Sequence, residues 1–527
     1  MNLIESRWIP VRRESGESHI APWQITDPDD PVLELSAPRP DFNGALLQFL
    51  IGLLQTACPP EDGDQWVDWL EQPPQPETLK GKFLPFSYAF ETDGEGPRFM
   101  QDHTLLEESD IKTVDISNLL IDANETHFNK PGSINCLCPK CAALALFTLQ
   151  TNSPEGGRGH FTSLRGGGPL TTIVRIQTSA DSINQTLWEA LWTNVLENSD
   201  FDSLNVTVVP KTMEAQFPWL SPSRLIKAVI KSDTYPQDIA TTQIYWAMPR
   251  RIYLGYNEEE TSCDLCGAET KKAYKNYQTR PNGISYSNDP VWRHPLSPKY
   301  SIDKDGTKKA FRHLQSGGFS YRIWPSLAIN GYKHDEVAKV VSFFLEQRRR
   351  EDQFEQVQIH AFGYDMKSNK ARCWYETTFP LYTLEPAILE RFAAFTEILI
   401  QSSTDTADMV RGCIKDAWFK RPGDAKGDTA FLLEAFFSHT ETGFYSSLKR
   451  LSDQLKSGGT GKEVLVDWHS LLIQTALQLF DYWTGRGDFG TVNPRRIAQA
   501  NRKLNNWLHS KKLKQSLFVS EDKEKAA

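Results

Sequence analysis

Two cysteine pairs have the spacing of metal ligands. "CLCPKC" contains Cys138 and Cys141, and "CDLCG" contains Cys263 and Cys266. A C-x-x-C pair on a tight turn presents two thiolates to one ion, and two such pairs fill the tetrahedral shell of Zn²⁺. Four thiolates leave no open position for a substrate, so zinc here would be structural. A redox pair or a chance pair is the competing reading. Cys136 is a fifth candidate ligand that spacing alone leaves open. The isolated Cys58, Cys373 and Cys413 are expected to pack as small hydrophobes. About 120 residues separate the two pairs. A shared ion would therefore clip distant segments together and close a long loop.

A second chemical signal is "NSPEGGRGHFTSLRGGGP" at 152–169, with six glycines, two arginines and a histidine in eighteen residues. Glycine reaches backbone conformations closed to other residues and lets a ligand approach the main chain. Phosphate and nucleic-acid grooves are the usual ligands of such loops. A backbone without side chains fits a minor groove and can donate N–H groups to base acceptors there, with degenerate readout.

Catalytic constellations are missing from the sequence. It has no GxxxxGK[ST], HExxH or GxSxG, and "GGTGKEV" at 458–464 lacks the spacing of a phosphate-binding loop. The 11 histidines are scattered. His294 and His313 lie among basic residues and are expected to have core or surface roles. No enzyme is expected. Two other classes compete with a nucleic-acid-recognition protein: a metal-dependent nucleic-acid-processing enzyme with a catalytic metal on the cysteines, and a purely structural scaffold.

Net charge is −9, but residues 1–110 hold 21 Asp/Glu against 7 Lys/Arg, a net −14, so the remainder sums to +5. Local patches rather than the total decide phosphate binding. No apolar run spans a membrane and the start "MNLIESRWIP" has no signal-peptide core. A cytoplasmic protein with no membrane partner is expected.

These signals must be positioned by two kinds of region. Up to about residue 380 the pattern mixes short strands (1–35, 169–177, 356–366) with helical stretches (41–57, a short one holding Trp66 and Trp69, the run after Cys141, and 333–351). Beyond that point strand signals are scarce. "EPAILERFAAFTEILIQ", "TAFLLEAFFSHTETGFYSSLKRL" and "VDWHSLLIQTALQLFDYW" have helical apolar spacing, and residues 481–517 carry eight Lys/Arg against two Asp. The expected fold is α+β: a large mixed N-terminal domain, 1–380, with the structural zinc site, then an all-α C-terminal bundle of four or five helices, 381–527.

Six motifs in order sharpen this picture: "MNLIESRWIPV", "RFMQD" at 98–102, the Cys138/Cys141 pair running into "CAALALF", "GRGHFTSLRGGGPLTT", the Cys263/Cys266 pair, and "WRHPLSP" at 292–298. Together they resemble the large, CasA-type subunit of the type I-E CRISPR Cascade surveillance complex, over essentially the whole chain. The resemblance implies a large α+β N-terminal domain holding the zinc, followed by an all-α C-terminal four-helix bundle, in a non-catalytic subunit that recognises the protospacer-adjacent motif in double-stranded DNA. It implies help in unwinding the duplex for R-loop formation, and recruitment of a helicase-nuclease. Guide RNA and the other Cascade subunits (backbone, small and 5′-handle-capping) would be partners, with sequence beyond the motif read by base pairing.

Residue by residue, the resemblance implies a groove-reading glycine loop at Gly156, Gly157, Arg158, Gly159 and His160. It implies a strand-separating wedge at Lys367, Ser368, Asn369 and Lys370. A basic finger is implied at Arg280, with Lys275 as second choice. A loop contacting guide RNA and DNA is implied at Phe128, Asn129 and Lys130, where an aromatic beside Asn and Lys suits base stacking and phosphate contact.

Overall fold

The computed structural model describes residues 1–122, 132–157, 159–177, 186–205, 209–221, 233–286, 292–314, 316–348, 356–367, 370–421, 423, 427–485 and 493–518. It divides into two compact units. One comprises 1–318 and 333–381; the other comprises 319–332 and 382–527.

The first unit is built around the helix Pro40–Ala57, which opens with proline in its first turn and is buried along nearly its whole length. A helix that is apolar on all sides belongs inside a core. Its Phe49 ring meets the edges or faces of Trp8, Phe90, Phe99, Phe147 and Trp246, with centroids 5.4–6.0 Å apart. Truncating such a ring to alanine costs about 3–5 kcal/mol. The second buried helix, Pro139–Asn152, packs against the first and begins at the first cysteine pair.

An antiparallel sheet lies alongside, in the order Lys370–Pro380, Gln356–Lys367, Thr171–Gln177. Its central strand places Ile359 between Val174 and Phe379, and all three are buried. A second three-stranded sheet pairs Asn276–Arg280 with Lys112–Asp115 on one side and Arg251–Leu254 on the other. The strands at the N-terminus, Ile9–Arg13, Gly16–Ile20 and Val32–Leu35, form a third. Antiparallel pairing dominates, as the alternating strand patterns imply.

The helix expected over 333–351 is shorter, spanning Lys339–Gln347. Lys333 and His334 take left-handed φ values of 50° and 67°, which stop a helix from starting there.

The second unit contains the helices Pro386–Trp418, Ala430–Lys456, Lys462–Gly485 and Pro494–Leu508, followed by a short fifth, Lys511–Phe518. On the first of these, Phe392, Thr396, Leu399, Ser403, Thr406, Val410, Cys413 and Ala417 are all buried. They alternate steps of four and three, the seam of coiled-coil-like packing. The buried hydroxyls are satisfied within the helix, Thr396 and Thr406 donating to the carbonyls of Phe392 and Ser402 at 2.8 and 2.7 Å. Segment 319–332 packs into this unit. Tyr321 stacks on Phe444 at 4.3 Å and shares a 3.0 Å hydrogen bond with Thr440. Trp324 meets Phe392 edge to face.

Candidate metal centre and nucleic-acid interface

Cys138 caps the N-terminus of the helix Pro139–Asn152, so Cys141 falls in its first turn. Cys263 and Cys266 sit on the turn between the strands Asn257–Ser262 and Glu269–Ala273. That turn is closed by Gly267 N–H to Cys263 C=O at 2.8 Å, with Gly267 left-handed at φ 69°. The two pairs are docked by backbone: Leu137 and Tyr274 exchange N–H···O bonds of 2.9 and 3.0 Å. The Asp264 carboxylate accepts from the N–H groups of Asn135 and Cys136 at 2.7 and 2.8 Å.

The four Sγ atoms of Cys138, Cys141, Cys263 and Cys266 lie within 4.8 Å of one another, and Cys138 and Cys266 are 3.7 Å apart. A tetrahedral ion with bonds of about 2.3 Å holds its sulfurs about 3.8 Å apart. The donor set therefore fits a divalent ion that favours thiolates, and the cluster could hold one. The thiols already polarise one another. Hydrogen bonds from Cys138 and then Cys141 hold Cys263 well below the usual thiol range, and a hydrogen bond with Cys141 brings Cys266 down to about 6. Cys136 is buried beside the cluster but is not part of it; its Sγ faces the Leu137 carbonyl. Its backbone, not its sulfur, joins the two halves. Cys58 and Cys413 are buried as expected, whereas Cys373 is half-buried.

The glycine-rich segment leaves the same helix at Asn152. Its tip is a tight loop in which Gly156 N–H donates to His160 C=O (3.1 Å) and His160 N–H to Gly157 C=O (3.0 Å). Gly156 and Gly157 are exposed; Gly159 and His160 are half-buried. Gly157 has φ 90°, the left-handed region that favours glycine, and its N–H has no partner among the described residues. Arg158 lies outside the described residues. The segment's other arginine, Arg165, turns into the core instead of toward a ligand. It is 3% exposed and donates to Thr171 Oγ1 (3.0 Å), Ser297 Oγ (2.9 Å) and Gln48 Oε1, and burial pushes its pKa down to about 9. His294 is a core residue too, 5% exposed beside Tyr245.

Two other sequence-marked sites border this loop. Gly159 C=O accepts from Asn282 N–H at 2.7 Å, two residues beyond Arg280. Arg280 ends its strand half-buried and ion-paired with Glu108, which also binds the buried Arg251. Burial pushes the Glu108 carboxyl up, but hydrogen bonds and charge from Arg251 and Arg280 outweigh it and hold it below its ordinary value. Lys275, at the other end, is partly exposed and pairs with Glu259 at 2.6 Å. On the opposite flank, Gly168 packs against Met366 and Tyr364 of the long hairpin, so close that a Cβ would fall 2.7 Å from the Met366 methyl. Lys367 and Lys370 pair across that hairpin's exposed end. Just below, Arg372 grips the buried Asp365 at 2.6 Å. Ser368 and Asn369 lie outside the described residues, as do Phe128, Asn129 and Lys130.

The glycine-rich segment thus touches both elements, at Gly159 the residues after Arg280 and at Gly168 the hairpin strand near Met366, although these are about 120 and 200 residues away in sequence. Sequence reasoning passed over two residues here. Arg250 sits beneath Gly156, and Asn282 anchors Gly159. The run "MPRRIYL" was the available signal for Arg250, but two adjacent arginines before a strand do not tell which one turns inward.

Fold and site define an α+β protein with a four-cysteine clip and a glycine loop flanked by cationic elements. The family model for the CRISPR-associated protein Cse1 matches residues 2–479. The chain belongs to the Cse1 family. Among solved structures, Cse1 of Thermobifida fusca superposes with a TM-score of 0.70 at 15% identity, covering 99% of this chain and 98% of that one. CasA of Thermus thermophilus gives 0.66 at 17% identity, covering 96% and 99%. A chain of a CRISPR RNA-guided surveillance complex gives 0.65 at 15% identity, covering 97% and 99%. At such identities the likeness is one of fold. No helix among the described residues is long and apolar enough to cross a membrane.

Proposed function

We propose that this chain is the large subunit of an RNA-guided surveillance complex of the type I-E Cascade kind. It reads the protospacer-adjacent motif of double-stranded DNA, starts duplex opening for the R-loop and recruits a helicase-nuclease. Guide RNA and the backbone, small and 5′-handle-capping subunits are its partners, and the complex works in the cytoplasm. Family membership supports the assembly, because a chain of such a complex shares this fold.

The observation that carries the DNA reading is the exposed loop tip beside the residues that follow Arg280, with a left-handed Gly157 whose N–H has no partner among the described residues. A bare backbone donor beside a cationic element suits a minor groove bounded by phosphates. In this reading Lys367 to Lys370 wedge the strands apart below the motif, and Phe128 to Lys130 contact guide RNA and nearby DNA. The role is non-catalytic: zinc on Cys138, Cys141, Cys263 and Cys266 would have its shell filled by sulfur, leaving nothing to bind a substrate.

The test is selection of motif-randomised duplexes by the reconstituted complex, comparing Gly157→Asp with Gly157→Asn. Space at Gly157 is open to a Cβ, and both variants carry the same backbone strain. They differ by one negative charge. Asp should bind more weakly than Asn, by about tenfold. Equal binding by both would move the reading surface elsewhere.

A further inference from the structure

Arg250 is a buried cation without a counter-ion. It is 9% exposed, and no carboxylate lies within ion-pairing distance among the described residues. Its backbone is fixed on both sides by Gln150, whose amide accepts from Arg250 N–H and donates to Arg250 C=O, each at 2.9 Å. One guanidinium nitrogen, Nη2, donates to the Pro154 carbonyl. Nε is buried with no partner, and Nη1 makes no hydrogen bond among the described residues. An unpaired buried charge is costly, as is an unmatched buried donor. The neighbouring charges are also positive: burial first, then Arg250 and Lys112, lower the pKa of His160. Burial brings the Arg250 pKa itself down to about 10.

Nη1 faces the backbone of the glycine loop. Gly156 lies over the guanidinium. A Cβ there would collide with Nη1 and fall 3.0 Å from Nη2 and 2.9 Å from the His160 Cβ. Gly156 has no left-handed φ that would demand glycine, and it is exposed. The guanidinium fills the space a side chain would take and lies directly under the loop backbone.

The geometry points to Arg250 as a preformed phosphodiester-binding residue, reached past Gly156, that holds the backbone of the duplex while the loop tip reads its groove. This assignment rests on the proposed DNA reading of the glycine loop. A guanidinium fork suits a phosphate, which supplies the missing charge and accepts from Nη1. Its place behind a glycine keeps the cation from reaching base edges, so it positions the duplex without choosing the sequence.

The experiment measures duplex affinity of the assembled guide-RNA complex over a salt series, with a panel of motifs, for wild type, Arg250→Gln and Gly156→Ala. Loss of one phosphate contact lowers the slope of log K against log salt by about 0.9, roughly a fivefold weakening near physiological salt. Both variants should show that loss on every motif, and Arg250→Gln should keep the order of motif preference. Gly156→Ala retains the arginine and displaces its Nη1, so it decides the matter if Arg250→Gln does not fold. An unchanged slope in the folded variants overturns the assignment and makes Arg250 a support for the loop. A changed slope for guide-RNA assembly instead of duplex binding also overturns it, placing the phosphate in RNA. Absence of motif preference in wild type would instead sink the glycine-loop reading, whatever the slopes.

Discussion

Glu108 holds two arginines, and only one of them belongs to the core. Arg251 is 2% exposed and also bound by Asp102 at 2.5 Å; Arg280 is partly open to solvent. Glu108→Gln would keep the shape and remove the charge that ties Arg280 down. Urea unfolding should show a loss of about 1 kcal/mol at pH 7, small because Glu108 is partly screened by water. The carboxyl pKa is depressed in the folded state, so its contribution is present above about pH 4.5 and disappears as pH falls through the folded value. The difference between variant and wild type should therefore close in acid. DNA binding by the assembled complex should move the other way at pH 7, becoming tighter as Arg280 is released. Unchanged affinity would mean Arg280 does not contact DNA. The sequence shows that arginines 165, 250, 251, 158 and 280 are near the glycine signals or on adjacent strands. It does not show which are spent inside. Arg165 and Arg251 face partners 117 and 149 residues away, and such pairings leave no trace in local spacing.

Between the elements, the cysteine cluster joins a helix N-terminus to a two-stranded turn. The spacing singled out the four cysteines that cluster because a C-x-x-C turn is a local geometry. It could not place Cys136, whose backbone hydrogen bonds turn its sulfur aside. Zinc analysis of the purified protein should give one ion per chain. Cys141→Ser should lose it and unfold several degrees lower, whereas Cys136→Ser should keep it. Chelation should lower the melting temperature of wild type and leave Cys141→Ser unmoved. Retention of metal by Cys141→Ser would exclude the four-sulfur shell. The long bundle helices were legible for a similar reason, since their seam repeats every three and four residues. The helix over 333–351 was less so: nothing in Lys333 and His334 signals the left-handed backbone that keeps the helix from starting there.

For the whole molecule, the composition shift near 380 marks where the helical sequence begins but not all that the helical unit contains. Residues 319–332 pack there too, with Tyr321 and Trp324 at 0% and 1% exposure. Their partners, Phe444 and Phe392, are non-local, so no window of sequence reveals them. A chain cut off after 380 would expose both rings. It should bind a hydrophobic dye and aggregate on gel filtration, whereas full-length protein nicked at 381 should elute as one species. A soluble, dye-silent 1–380 fragment would show that the segment finds another cover. The same excursion gives synthesis an order. A ribosome delivers residues 319–332 first, and Phe444 follows 112 residues later. At about 5–20 residues per second the segment waits on the order of 6–20 s for its partner. During that interval a newborn chain carries Tyr321 without its stacking partner. The moment of greatest exposure to chaperones and to misassembly is therefore fixed by the position of one short stretch in the reading frame.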